Sequence, residues 1–302
     1  DELLAAGDED ELALRGDQRL VARLVRAPPL PVDPPTLDPA GSYLITGGLG
    51  GLGLQSAERL AARGARHLIL VGRGEPSAAA TSRLAALATS GVRVRVMRAD
   101  VADARAVADL FAALADSSPP LRGILHAAGV VDDGILTQQT SERLARVFAP
   151  KVDGAWNLHR HAPAGLDFLI FFGSAAALLG SAGQAGYVAA NAFLDALAHR
   201  RAAHAPPALS LAWGGWAEHG AATGSQFRQR MERLLCHPSW TVRLPYRLRR
   251  KLPSARPRMV QAPCWAWWPP ACARVGESAR SAPACCWPTW PSACCACRSA
   301  AS

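Results

Sequence analysis

Short apolar runs alternate along this chain with longer stretches in which apolar residues recur every three or four positions. Between Ser42 and Trp213 the runs Tyr43–Thr46, His67–Val71, Arg93–Met97, Gly123–His126, Phe168–Phe172 and Leu209–Trp213 predict strands. The stretches Leu52–Arg63, Ser77–Ser90, Ala104–Ala115, Ser141–His161 and Ala185–His204 predict helices, with Gly64, Gly91, Pro119-Pro120 and Pro206-Pro207 at the joints. Regular strand–helix alternation predicts an α/β fold, a doubly wound parallel sheet covered on both faces. One uncharged stretch, Phe168 to Leu194, is long enough to span a bilayer. It is interrupted by Gly173, Ser174, Gly180, Ser181, Gly183, Gln184, Gly186 and Asn191, so it predicts a buried strand, a loop and a helix, and no membrane span. Upstream, a Pro-rich linker (Pro28-Pro29-Leu30-Pro31 to Pro34-Pro35) follows a segment, Glu11–Arg26, whose pattern fits two strands or one helix equally.

Composition divides the chain in a different way. Over its 302 residues it is 50% hydrophobic and 19% charged, which excludes wholesale disorder. The net charge of +9 suggests a nucleic-acid or membrane surface until it is located. Residues 236–302 hold 10 basic side chains and a single acid, Glu277, whereas the first 235 residues hold 23 of each sign. All eight cysteines (Cys236, Cys264, Cys272, Cys285, Cys286, Cys294, Cys295, Cys297) lie in that same last segment, as do six of nine tryptophans. The cysteines are not arranged as paired CxxC units and His237 is the segment's one histidine, so neither a zinc site nor any other metal site is expected. Segment 236–302 reads as out-of-frame translation of GC-rich DNA, with a genuine basic extension as the alternative, and is expected to be disordered, with no role in binding nucleic acid. The chain opens Asp1-Glu2-Leu3-Leu4, without Met and without a basic-then-apolar leader, which suggests an internal piece of a longer, cytoplasmic protein.

The chemistry concentrates in the neutral part. Thr46-Gly47-Gly48-Leu49-Gly50-Gly51-Leu52-Gly53 follows a predicted strand and opens a predicted helix, the context a dinucleotide fingerprint requires. Absent side chains let backbone N–H groups at a helix N-terminus approach a pyrophosphate. Arg73, at the end of the second strand, suits the 2′-phosphate of NADPH, where an acid would suit NAD; a surface loop arginine is the plainer alternative. Four residues have the makings of a proton-transfer site. Lys151 is one of only two lysines in a chain that otherwise uses Arg. Ser174 falls at the C-terminal end of a strand, where open α/β sheets build their sites. Tyr187 and Asn191 are four apart on one helix and share a face. Tyrosine shuttles protons poorly until a cation lowers its pKa, and Lys151 would be that cation. Taken singly, Ser174 fits a cap, Tyr187 a core aromatic and Asn191 a turn residue.

With these motifs, the sequence resembles the ketoreductase domain of modular type I polyketide synthases and animal-type fatty acid synthases, a branch of the short-chain dehydrogenase/reductases. The resemblance runs from about Glu11 to about Leu235. It is carried by the glycine motif, by His126-Ala127-Ala128-Gly129, by Lys151-Val152-Asp153-Gly154-Ala155, by Gly183 to Asp195 and by Trp213-Gly214-Gly215-Trp216. Asn191 stands where most of the superfamily has its lysine, a pattern similar to the synthase ketoreductases.

The resemblance implies a Rossmann-like catalytic domain over 41–235, preceded in 1–40 by the remnant of a structural subdomain and a linker. It also implies NADPH as cofactor, bound by Thr46 to Gly53, Arg73, Asp100, Val101, Ala127, Ala128, Gly129 and Lys151. For Asp100, an N-cap is an equally good reading of the sequence. The implied substrate is a β-ketoacyl thioester on the phosphopantetheine arm of an acyl carrier protein, with other synthase domains as partners. Tyr187 would protonate the oxygen, Ser174 hydrogen-bond it, Lys151 bind the nicotinamide ribose and Asn191 hold a relay water. Val131-Asp132-Asp133 is similar to the Leu-Asp-Asp motif of B-type members and, with Gln184, would govern stereochemistry. Leu179 stands where A-type members tend to have Trp. Gly215 and Ala221 depart from the family's usual Pro and Met near the substrate lid. A fragment that keeps these motifs without a complete, catalytic fold is the competing expectation.

Overall fold

The computed structural model describes residues 12–21, 36–115, 119–201 and 208–214. The Pro-rich linker, the end of the last predicted helix beyond Arg201, Gly215, Ala221 and the whole of 236–302 lie outside the described residues. Among those described, six strands form one parallel sheet in the order β5-β4-β3-β6-β7-β8. They are β3 (Ser42–Thr46), β4 (His67–Gly72), β5 (Arg93–Arg98), β6 (Leu121–His126), β7 (Phe168–Ser174) and β8 (Ala208–Trp213). The chain winds outward from β3 to β5, then returns to lay β6 against the other side of β3. The strand order therefore reverses between β3 and β6, the switch point at whose carboxyl ends open α/β sheets place their ligand sites.

Alternation along the strands builds two cores. Tyr43, Ile45, Leu68 and Leu70 face α1 (Gly51–Ala62) and α2 (Ala78–Thr89), packing on Leu54, Ala57, Leu60, Ala80 and Leu87. Leu44, Val71, Ile124, Leu169 and Phe171 face the opposite way, onto Val107 and Leu110 of α3 (Ala104–Ala115), Leu158 of α5 (Gly154–His161) and Leu194 of α7 (Ala185–Arg201). A strand buried on both faces reads as a continuous apolar run, which is why β4 (His-Leu-Ile-Leu-Val-Gly) and β7 were legible as strands. Helix starts are capped where the sequence supplies a hydroxyl. Ser77 accepts from the Ala80 N–H ahead of α2, and Thr140 from the Arg143 N–H ahead of α4 (Ser141–Phe148).

Two expectations are refined. The single helix expected over Ser141–His161 is three pieces: α4, a wide π turn over Ala149–Asp153, and α5. Pro150 lacks the N–H that would continue α4, and the wider turn accommodates its ring. Glu11–Arg26 contains a hairpin of β1 (Leu12–Arg15) and β2 (Gln18–Val21), antiparallel, with Gly16 at φ +57° in its turn. The uncharged stretch from Phe168 resolves into β7, the short helix α6 (Ala176–Leu179), a loop and α7. No helix among the described residues is long and apolar enough to cross a membrane.

Candidate active site

The turn from β3 into α1 leaves no room for side chains. Gly47 has φ +65°, and a Cβ on it would lie 2.8 Å from the Ala128 nitrogen. A Cβ on Gly53 would lie 2.2 Å from the Gly47 carbonyl oxygen, and one on Gly48 2.7 Å from the Ile45 carbonyl oxygen. The Gly48 N–H is held by the Val71 carbonyl at 3.1 Å, and Leu49 covers Gly72. Gly50 caps α1 with its backbone extended, so Gly51, Leu52 and Gly53 present first-turn N–H groups of the kind that bind phosphate oxygens. Ala127 extends the floor of this turn, its N–H donating to the Thr46 carbonyl at 3.1 Å. The turn is thus a cradle that a Cβ would fill, and it fits the pyrophosphate of a dinucleotide.

Toward the outer strands, Arg73 is exposed just beyond β4. Asp100 is exposed beyond β5, and its carboxylate accepts from the Ala102 N–H at 3.0 Å. It is not the N-cap of α3. That position belongs to Asp103, which accepts from Arg105 at 2.8 Å and Ala106 at 3.2 Å. Val101 is buried, and its carbonyl and that of Ala102 are held by the Asn157 amide at 3.0 and 3.1 Å. Asn157 fixes this loop from α5 and had no role in the sequence reading.

At the centre, Lys151 is 5% exposed. Its Nζ donates to the Phe172 carbonyl at 2.9 Å and lies 5.4 Å from the centroid of the Tyr187 ring. Gly129 makes this possible, since a Cβ there would lie 3.0 Å from Lys151 Cε. Burial lowers the Lys151 pKa to about 8, with the Asp195 carboxylate acting in the opposite sense. Asn191 is fully buried; its amide donates to the Tyr187 carbonyl at 2.7 Å, and its Oδ1 accepts no hydrogen bond from the described residues. Ser174 ends β7, and its Oγ accepts from the Ala176 N–H at 3.2 Å. The Ser174 and Tyr187 hydroxyls donate to no group among the described residues. Lys151, Tyr187 and Asn191 are therefore brought together beside the strand that ends in Ser174.

Two supports behind this cluster were not foreseen. His126, 1% exposed, bonds through Nδ1 to Thr46 Oγ1 at 2.7 Å, tying β6 to the start of the glycine turn. Burial first, and the nearby Lys151 cation second, lower the His126 pKa to about 3, against a smaller opposing effect of the Pro150 carbonyl. It is neutral at working pH. Asp195, two turns along α7 from Tyr187, accepts from Ser210 Oγ of β8 at 2.5 Å. Burial raises its pKa, opposed by Ser210, His199 and Lys151. Asp195 lies within a quoted motif, but nothing in a linear sequence couples it to a lysine 44 positions earlier.

The loop after β6 is anchored at both ends of its acidic pair. Asp132 forms ion pairs with Arg143 and Arg146, each at 2.6 Å, while the Asp133 carbonyl accepts from Arg143 at 2.5 Å. Partial burial would raise the Asp132 pKa, but the two guanidiniums outweigh it and hold the carboxyl below its usual range. The Asp133 carboxylate accepts from the buried Gln184 amide at 2.9 Å, and Gln184 in turn accepts from Ser181 Oγ at 2.6 Å. Val131 precedes the pair and is half-buried. Gln184 is thereby the hinge pin between this loop and the start of α7.

The model of the KR domain family matches residues 41–218. The chain belongs to the KR domain family. It is a ketoreductase domain of the modular polyketide synthase kind, an oxidoreductase acting on a keto group through a nicotinamide cofactor. Over 233 residues it is 44% identical to the spectinabilin polyketide synthase system protein NorA′ of Streptomyces orinoci, covering 76% of this chain and 6% of that protein. It is 48% identical over 184 residues to the phthioceranic/hydroxyphthioceranic acid synthase of Mycobacterium tuberculosis, covering 60% of this chain and 9% of the synthase. The ketoreductase chain therefore spans less than a tenth of either relative. Among solved structures, A-type ketoreductases from a modular polyketide synthase superpose with a TM-score of 0.69 at 43% identity, over 77% of this chain and 50% of theirs.

Proposed function

We propose that this ketoreductase reduces a β-ketoacyl thioester, carried on an acyl carrier protein, to the β-hydroxyacyl thioester, and that it uses NADPH. The observation that carries the reading is the buried Lys151 ammonium 5.4 Å from the Tyr187 ring centroid, beside the end of β7. A cation so placed stabilises the phenolate that remains once Tyr187 has given its proton away. NADPH, when bound, supplies the hydride that goes to the carbonyl carbon. The C=O π pair moves to oxygen, and the Tyr187 hydroxyl donates its proton to that oxygen. The Ser174 hydroxyl, already turned by accepting from Ala176, donates to the same atom. Asn191 Oδ1, buried and unpartnered, suits a water that returns a proton to Tyr187. Lys151 also serves the nicotinamide ribose. Gly47 to Gly53, with Thr46, Ala127, Ala128 and Gly129, hold the pyrophosphate side, and Asp100 and Val101 the adenine. Arg73 selects the 2′-phosphate.

The product is assigned the B-type, D-configured hydroxyl. Val131-Asp132-Asp133 and Leu179 support this assignment, and the loop is held in place by Arg143, Arg146 and Gln184. Overall likeness to A-type structures does not decide the point, because stereochemistry is assigned from this loop. The partners proposed are the carrier protein and neighbouring synthase domains, the setting cytoplasmic.

The test is NADPH oxidation with a β-ketoacyl thioester surrogate. Turnover should fall by about a hundredfold or more in Tyr187→Phe with NADPH binding kept, since a positioned general acid contributes on that order. Protein that binds NADPH but never turns over would favour a fragment with motifs and no activity. Chiral chromatography showing the L-alcohol would refute the B-type assignment alone.

A further inference from the structure

Arg98 has no role in the site as derived so far, and its position is unusual for a side chain at the end of a surface strand. It is paired in parallel register with Gly72, and the Ala99 N–H donates to the Gly72 carbonyl at 3.0 Å. Residues in register on adjacent parallel strands project to the same face of the sheet. The face in question is that of the glycine turn, because Leu49 Cδ1 lies 3.0 Å from where a Gly72 Cβ would be. With no side chain on Gly72, Arg98 crosses the end of β4, and its Nε donates to the Arg73 carbonyl at 2.8 Å. That bond uses one of five guanidinium donors and leaves the terminal NH₂ groups for another acceptor. Arg73 and Arg98 are both exposed, and no carboxylate among the described residues pairs with either; Glu75, two residues past Arg73, pairs with neither.

We propose that Arg98 is a specificity-determining residue, a second guanidinium that with Arg73 grips the 2′-phosphate of the dinucleotide. The proposal rests on the NADPH reading above and deepens it. Arg98 is thus anchored on the backbone of Arg73, and two exposed arginines at one strand end, with no carboxylate among the described residues paired to either, suit a doubly charged ligand group, which planar guanidiniums meet with paired hydrogen bonds. The Nε bond to the Arg73 carbonyl fixes the stem of Arg98, so little rotamer freedom remains to be lost on binding.

The experiment measures binding of 2′,5′-ADP and 5′-AMP to the full chain by calorimetry, with wild type, Arg98→Met and Arg73→Ala. Wild type should prefer 2′,5′-ADP. Arg98→Met should lose about tenfold in affinity for 2′,5′-ADP, the scale of a charge-assisted hydrogen bond, while 5′-AMP binding stays within about twofold. A loss shared equally by both ligands would mean that Arg98 only braces the loop, and would overturn the proposal. So would unchanged preference in Arg98→Met beside a preference abolished by Arg73→Ala, which leaves the NADPH reading standing. Wild type with no preference between the ligands would overturn both.

Discussion

A lysine with 5% of its surface exposed is an expensive residue, and its titration should be visible. Lys151 titrates near 8 in the folded chain because burial disfavours the charged form, against 10.5 as the ordinary value. Below about pH 8 both folded and unfolded chains carry the ammonium, and the folded state bears the whole desolvation cost. Between about 8 and 10.5 the unfolded chain holds the extra proton, so stability rises with pH and the cost disappears. Lys151→Met has no such group. The stability difference between wild type and Lys151→Met, from urea unfolding across that window, should shift toward wild type by up to roughly 3 kcal/mol. A flat difference would refute the burial of the charge. Activity should move the opposite way: kcat/KM falls as pH rises through about 8, where the ammonium beside Tyr187 is lost. At this scale the sequence singled out residues proposed to act on the substrate or cofactor directly. Lys151, Tyr187 and Asn191 stood out by rarity and spacing, and the structure brings them together. Residues that act through others did not stand out: Asn157 grips carbonyls more than 50 positions earlier, and the Thr46–His126 bond spans 80 positions. A hydroxyl or an amide gives no linear sign of such a partner.

Among elements, the β3–α1 turn separates two uses of glycine that look alike in the motif. Gly53 is needed for packing, because its Cβ would lie 2.2 Å from a backbone oxygen that cannot yield cheaply. Gly53→Ala should therefore push α1 off the turn and cost more than about 2 kcal/mol in denaturant unfolding, as overpacking does. Gly50 has φ −83°, and its Cβ would meet only the Gly47 carbonyl oxygen at 3.3 Å. Gly50→Ala should change stability by less than about 1 kcal/mol, yet weaken NADPH binding at least about tenfold by placing a methyl group where the proposed site would take the pyrophosphate. Fluorescence titration of NADPH beside urea unfolding separates the two outcomes, and equal behaviour of the two variants would refute the distinction. Element positions in the sheet were legible to within two residues: double burial writes the central strands as apolar runs, while β5 shows as an alternation of Arg with Val and Met between turn residues. The break at Pro150 was less so: the amphipathic pattern of Ser141–His161 continues across the π turn, and only the missing N–H of one proline interrupts the ladder. That interruption matters, because Lys151 is carried in the widened turn and thereby reaches Phe172 and Tyr187.

Over the whole molecule, the parallel sheet was predictable and its boundaries were not. β8 ends the sheet on the side opposite β5, half-buried along its length and paired on one side by β7. In a parallel ladder alternate residues bond to opposite neighbours, and β7 is the one strand paired with β8 among the described residues. The resemblance implies a further strand beyond Leu235, which is where the sequence changes to its basic, cysteine-bearing composition. If segment 236–302 is out of frame, that strand is missing and β8 is an open edge. Hydrogen exchange on the full chain then distinguishes the possibilities. Amides of Ala208–Trp213 that do not bond to β7 should exchange at least about tenfold faster than those of Phe168–Ser174, whose strand is paired on both sides, because each 1.4 kcal/mol of local opening is a factor of ten. Equal protection of β8 and β7 would mean that residues beyond Gly214 cover the β8 edge, and the open-edge expectation would be refuted.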